Sequence, residues 1–270
     1  MAAARPDGSL FLSLHDEGFA VFPKLLTSEG IVSLLSAAAG CVTDQDINIS
    51  GREVMERHPE IILPLICSPL VLDTCEAAMG PFVQLDSFSV VSLKSNGHRG
   101  ISWHRDVYGS VPRSTVFERP LALNLLVYLQ DLTPEVGPLR LIRGSHRAPL
   151  LMSDAERSRP HPSEELVYLS AGDGIIIHNN LVHSRSPNFS GAARVHLSVV
   201  YTLAFMKSSI DTERNPLLAL RNNAQAMGNQ RITRLLGDDP HAENRFNSGF
   251  LRSDGDAWNE WIAADRLHSI

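Results

Sequence analysis

The stretch ARVHLSVVYTLAF, residues 193–205, decides the fold, because in an extended chain its two faces differ in kind. Val195, Leu197, Val199, Tyr201 and Leu203 point one way; Arg194, His196, Ser198, Val200 and Thr202 point the other. The first face is apolar throughout and predicts packing under helices. The second carries polar groups that, once interior, need partners or a ligand, so it predicts a sheet that encloses a site.

The same texture extends upstream. FVQLDSFSVVSLK (82–94), LALNLLVYLQDL (121–132), GPLRLIRGS (137–145) and ELVYLSAGDGIIIH (165–178) are short β-rich runs punctuated by Gly, Pro, Asn and Asp. Their spacing leaves no room for regular intervening helices, which favours an antiparallel sandwich or barrel over a parallel α/β sheet. LALNLLVYLQ sets Asn124 and Gln130 on one face among apolar neighbours.

Before this core, FAVFPKLLTSEGIVSLLSAAAG (19–40) reads as a short strand and then a helix capped by Thr27, with Ile31, Leu34, Leu35 and Ala38 on one stripe. Residues 41–60 are polar and irregular, and ILPLICSPLVLDTCEAAMG (62–80) reads as helical material broken by Pro64 and Pro69. After the core, NPLLALRNNAQAMGNQRITRLL (215–236) predicts a helix, followed by a polar tail with Trp258 and Trp261. The organisation expected is a single domain over 1–270: N-terminal strand and helical support (12–80), sheet core (82–205) and a C-terminal extension (206–270).

Composition narrows the function classes. Hydrophobic content of 43% and charged content of 20% are those of an ordinary globular chain. The net charge of −6 argues against a nucleic-acid partner held by phosphate neutralisation. No apolar run reaches the roughly 18 residues of a membrane span and no secretory leader is evident, so the expectation is a cytoplasmic protein without a membrane partner. Cys41, Cys67 and Cys75 lack CxxC spacing and read as reduced core fillers.

The chemistry concentrates in SWHRDVYG (102–109). His104 and Asp106, two apart on an extended segment, project to one side and can grip one ion; His183 follows downstream. Two imidazoles and a carboxylate on one face of an octahedron leave three positions open, the arrangement of non-haem Fe(II) oxygenases. A lone HxD is commonly a surface loop, but Arg194 adds weight. A guanidinium inside an apolar barrel wants a carboxylate, none lies in the string that follows His183, and a bound dicarboxylate would supply one.

The chain resembles the phytanoyl-CoA dioxygenase-like (PhyH) Fe(II)/2-oxoglutarate-dependent dioxygenases over about residues 12–205, in LHDEGFAVFPKLLTSEGIVSLL, WHRD, GPLRLIRGSH, AGDGIIIHNNLVH and HSRSPNFSGAARVHLSVVY. Five segments in order, with the intervals from His183 to Asn188 and on to Arg194, carry the resemblance. It implies a mainly β fold with flanking helices, a double-stranded β-helix (jelly roll, cupin-like). It implies His104, Asp106 and His183 as Fe(II) ligands and Arg194 as partner of the far carboxylate of 2-oxoglutarate, with O2 as co-reactant. Asn124 is a candidate for the cosubstrate's other end, the alternative being an interior amide bonded to backbone.

His178 and His146 are expected to be structural. Many members of the family have a small residue where this chain has Arg185; Arg185, with His98, Arg99 and Lys94, is a candidate substrate-binding residue, the alternatives being solvated turn or strand cations. The reaction implied is hydroxylation of an unactivated C–H of a small polar metabolite, anionic or zwitterionic if Arg185 faces inward, with release of succinate and CO2. Alternatives are a dioxygenase tailoring a larger natural product, a zinc-dependent hydrolase or isomerase, and a non-catalytic sensor on the same fold.

Overall fold

Nine strands form two antiparallel sheets in a computed structural model that describes residues 8–39, 47–49, 51–95, 102–106, 119–148, 150–238 and 263. The strands are β1 (Phe19–Phe22), β2 (Ile47–Ile49), β3 (Val83–Leu93), β4 (Ala122–Tyr128), β5 (Leu139–Leu141), β6 (Glu165–Val167), β7 (Gly174–His178), β8 (His183–Arg185) and β9 (Arg194–Leu203). The helices are α1 (Gly8–Glu17), α2 (Ser28–Ala39), α3 (Gly51–Arg57), α4 (Pro59–Ile66), α5 (Pro69–Met79), α6 (Asp154–Arg157), α7 (Leu217–Ala226) and α8 (Gln230–Leu235). The major sheet runs β1-β7-β4-β9-β3-β2 and the minor sheet β6-β5-β8. This is the expected jelly roll.

The two faces of β9 part as their side chains dictate. Val195, Leu197, Val199 and Tyr201 join a core with Leu34 of α2, Val54 of α3, Ile62 and Ile66 of α4, and Val71 and Leu72 of α5. On the other face, Phe19, Leu126, Tyr128, Ile175 and Ile177 of the major sheet meet Leu139 and Leu141 of the minor sheet in a second core. The polar edge of β9 opens beside that second core, so hydrophobic burial on both sides fixes the depth at which its charged groups sit.

Local chemistry sets the element ends. The Thr27 hydroxyl accepts the Gly30 amide at 3.1 Å, capping α2 as expected. Within residues 59–79 an 18-residue window has a mean hydropathy of 1.7, so this stretch, against the expectation that no run does so, is by length and composition apolar enough to cross a membrane. Its residues form two helices parted at Cys67 and Ser68 by Pro69, and half of the segment is buried. The helix expected over 215–236 is instead two, α7 and α8. Gly228 at φ 69° ends the first, and the Asn229 side chain accepts the Ile232 amide at 3.2 Å to start the second. Trp258 and Trp261 lie outside the described residues, as does Cys41.

α8 docks by charge as well as by apolar contact. Arg231 Nε donates to Glu76 Oε1 at 2.8 Å, and its terminal nitrogen donates to Glu76 Oε2 at 2.9 Å and Asp73 Oδ1 at 2.6 Å. Glu76 is buried on α5, so Arg231→Met would strand it without its countercharge. The loss should be about 3–5 kcal/mol of unfolding free energy, read by denaturant titration. A loss below about 1 kcal/mol would mean that the pair is solvated and contributes as a surface pair does.

Candidate active site

His104 and His183, far apart in sequence, are joined by a reciprocal backbone pair: each amide donates to the other's carbonyl at 3.0 Å. That clamp brings the two rings to a centroid separation of 4.3 Å. Asp106 Oδ1 lies 3.7 Å from His104 Nε2 and 3.8 Å from His183 Nε2, and one ligand atom from each residue falls within 4.8 Å of the others. No other such cluster of three His, Cys, Asp or Glu groups occurs among the described residues.

The second ring nitrogens set the tautomers. His104 Nδ1 lies 3.1 Å from the Ser102 carbonyl, and His183 Nδ1 lies 2.9 Å from the Leu181 carbonyl. A carbonyl only accepts, so both Nδ1 atoms carry a proton, and both Nε2 atoms face Asp106. Burial, then the charge His183 would carry, push the His104 pKa down to about 4 against the pull of Asp106, so the ring is neutral at neutral pH. Two imidazoles and a carboxylate converging within metal-ligand reach are a donor set that fits a divalent cation.

The surroundings hold these donors rigidly. Trp103, buried, donates Nε1–H to the Arg159 carbonyl at 2.8 Å, and the Arg140 guanidinium lies 4.6 Å over its ring. Arg105 donates to the Ser145 carbonyl at 3.2 Å and the Ala148 carbonyl at 2.8 Å, tying the HxD segment to the Ser145–Arg147 turn. Asn124 Nδ2 donates to Asp106 Oδ2 at 3.2 Å, and the Ser198 hydroxyl donates to Asn124 Oδ1 at 2.9 Å. Asn124 thus sits beside the His104, Asp106 and His183 cluster, where it orients the carboxylate, and its hydrogen bonds serve Asp106 and Ser198.

Arg194 is 3% exposed, and its guanidinium donates only to backbone carbonyls: that of Gly137, and those of Val136 and Ser186 at 3.4 Å. No carboxylate pairs with it among the described residues. Its Nε is buried without a partner, as are His196 Nδ1 and Gln130 Nε2. Two turns aim it. Asn188 accepts the Ser190 amide at 3.0 Å and donates to the Ala192 carbonyl at 2.8 Å, closing the bend before β9. Gly137 adopts φ 88°, and a Cβ there would meet the Pro187 carbonyl oxygen at 2.3 Å, so only glycine brings that backbone to Arg194.

The other expected residues fall differently. Lys94 follows Leu93, the partner of Arg194, and so has the opposite parity to Arg194; a bulge between Leu85 and Ser87 shifts the alternation along β3. That corrects its expected place in the pocket. His98 and Arg99 lie outside the described residues. His178 accepts the Asn180 amide at 2.9 Å and packs its ring 4.9 Å from that of His146, which in turn bonds the His15 carbonyl at 2.9 Å; both are structural here, apart from the three donors. Tyr128, hidden in an apolar run, was not singled out by the sequence; it is buried opposite His196, with ring centroids 5.4 Å apart.

Residues 14–195 match the phytanoyl-CoA dioxygenase (PhyH) family. The chain belongs to that family. It is similar to an L-proline trans-4-hydroxylase of Streptomyces griseoviridis, 27% identical over 169 residues, which are 53% of this chain and 63% of that protein. Among solved structures it is similar in fold to HygX from Streptomyces hygroscopicus with nickel, 2-oxoglutarate and hygromycin B bound. That match has TM-score 0.61 and 18% identity over 78% of this chain and 94% of HygX. It is also similar in fold to AviO1 from Streptomyces viridochromogenes Tue57, with TM-score 0.56 and 20% identity over 74% of this chain and 96% of AviO1.

The buried imidazoles of this PhyH chain give its stability a pH dependence of known sign. Burial, above all, depresses the pKa of His178 and of His196 to about 3 and of His104 to about 4, from 6.5. The unfolded chain therefore takes up protons that the folded chain refuses. Stability is full above about pH 6.5 and falls as pH descends toward 4. Urea midpoints measured from pH 7 to pH 4 should decline, and more shallowly in His178→Gln; a wild-type midpoint that stays constant over that range would contradict the burial of these rings.

Proposed function

We propose that this PhyH-family protein is a non-haem Fe(II)/2-oxoglutarate-dependent oxygenase that hydroxylates an unactivated C–H of a small polar metabolite. The single observation that carries this reading is the pairing of a three-donor cluster with a buried guanidinium that lacks a carboxylate, both on the inner side of one jelly roll. A zinc hydrolase needs the first and leaves the second without purpose.

On this reading His104, Asp106 and His183 hold the iron, and Arg194 takes the far carboxylate of 2-oxoglutarate. Bound iron supplies redox chemistry that couples decarboxylation of 2-oxoglutarate to succinate and CO2 with oxidation of the substrate by O2. The protein's own contribution is positional. The backbone pair between His104 and His183 fixes two donors, Asn124 turns the carboxylate of the third, and Arg194 sets the cosubstrate's register through a charge-assisted contact. Beside His104 lies a cavity of about 250 Å³ lined by Trp103, Arg105, Leu150, Met152, Arg157 and Val182. Its volume suits a small molecule, with apolar walls for a carbon skeleton.

The relative named L-proline trans-4-hydroxylase puts free amino acids first in a substrate panel. In that panel, succinate release that requires Fe(II), 2-oxoglutarate and O2 should rise with the true substrate. His104→Ala, Asp106→Ala and His183→Ala should each abolish it while the circular dichroism of the fold is retained. Arg194→Ala should keep iron and raise the 2-oxoglutarate KM at least about tenfold, the loss of a charged contact worth about 1.5–3 kcal/mol. An unchanged 2-oxoglutarate KM in Arg194→Ala, or wild-type turnover in any of the three donor variants, would remove that residue from its role.

A further inference from the structure

Arg185 follows His183 by two residues, a spacing that by sequence alone sets it over the metal donors and toward a substrate. The strand register sends it elsewhere. On β8, His183 pairs with Leu141 of β5, whereas Arg185 pairs with Leu139, two residues nearer to Gly137. The carbonyls of Gly137 and of Ser186, which adjoins Arg185, both accept from Arg194. On the facing sheet Tyr128 pairs with His196, two residues along β9 from Arg194, while Asn124, the partner of Asp106, lies four residues back along β4. Arg185 and Arg194 therefore flank one end of the space between the sheets, with Tyr128 and His196, and the metal donors lie toward the other.

Two further observations make that end an anion site. Among the described residues neither guanidinium has a carboxylate within ion-pair distance, although Arg194 is nearly fully buried and Arg185 half-buried. Three buried polar atoms there, Arg194 Nε, His196 Nδ1 and Gln130 Nε2, have no partner. Each guanidinium also disfavours protonation of the His196 ring, after burial itself, which places both charges within electrostatic reach of one imidazole. Two cations held together without an anion are costly, and a carboxylate, with lone pairs enough for two forks, is the group that relieves both.

We propose that Arg185 is a second cosubstrate-binding residue, gripping with Arg194 the far carboxylate of 2-oxoglutarate, and that it is not part of the substrate pocket. The inference rests on the oxygenase reading above. It carries a specificity consequence: a 2-oxo acid without the far carboxylate leaves one buried and one half-buried cation unpaired, so the site rejects it more strongly than a single arginine would.

Calorimetric titration of the Ni(II)-loaded protein with 2-oxoglutarate and with 2-oxovalerate, which lacks the far carboxylate, tests this without turnover. Arg185→Ala should weaken 2-oxoglutarate binding at least about tenfold, leave 2-oxovalerate and Ni(II) binding unchanged, and so narrow the ratio between the two acids. Arg185→Lys should recover part of the loss, because a point charge does not reproduce a planar fork. Arg185→Gln, close in length, should repeat the Ala result should the smaller residue unsettle the fold. If the variants bind 2-oxoglutarate as the wild type does, Arg185 has no part in cosubstrate binding while the oxygenase reading stands. If the wild type itself binds no 2-oxoglutarate, that reading falls and this inference with it.

Discussion

The site depends on one backbone interaction, the reciprocal pair of amide-to-carbonyl bonds between His104 and His183. Side-chain geometry at a metal centre has to be held to fractions of an ångström, and side chains on loops do not supply that by themselves. Here the first ligand segment is stitched onto the minor sheet as an extra bridge beside β8, so two donors inherit the rigidity of a ladder. Trp103 and Arg105 on either side of His104 then hold the segment's remaining freedom, through the carbonyls of Arg159, Ser145 and Ala148. The carbonyls of Ser102 and Leu181 hold the Nδ1–H of each ring, so both Nε2 atoms are turned toward Asp106.

The second constraint is the unpaired charge. Arg194 lies buried among carbonyls and apolar side chains, and nothing on the described protein neutralises it. Such a group lowers stability unless a ligand completes it, and departures of this kind from a locally consistent fold are expected at functional sites. Gly137 and the Asn188 turn show how much local structure is devoted to aiming it: one needs a positive φ and the absence of a Cβ, the other an amide that closes its own bend. On the proposed reading the cosubstrate provides the missing countercharge.

Much of this was legible in the sequence because it rests on period and spacing. The alternation of residues 193–205 separated the helix-facing side from the site-facing side, and HxD with a distant histidine picked out the three donors. What was not legible depends on register and irregularity. A bulge at Asp86 shifts the alternation of β3 ahead of Lys94, and the pairing of Arg185 with Leu139 is set by the register of a three-residue strand. Tyr128 sits in an apolar run with no local mark of its position opposite His196. Residues 47–49, Ile-Asn-Ile, are too short to announce the edge strand that pairs with β3. Each of these is fixed by tertiary pairing, which no window of sequence contains.

The most direct test of the account is an anaerobic titration of the protein with Fe(II) and 2-oxoglutarate, followed by visible absorption. A weak charge-transfer band is expected that needs both components together, forms with neither alone, and disappears in Asp106→Ala. Tight Fe(II) binding with no such band on saturating 2-oxoglutarate would contradict the claim that the donor cluster and the buried arginine form one cosubstrate site.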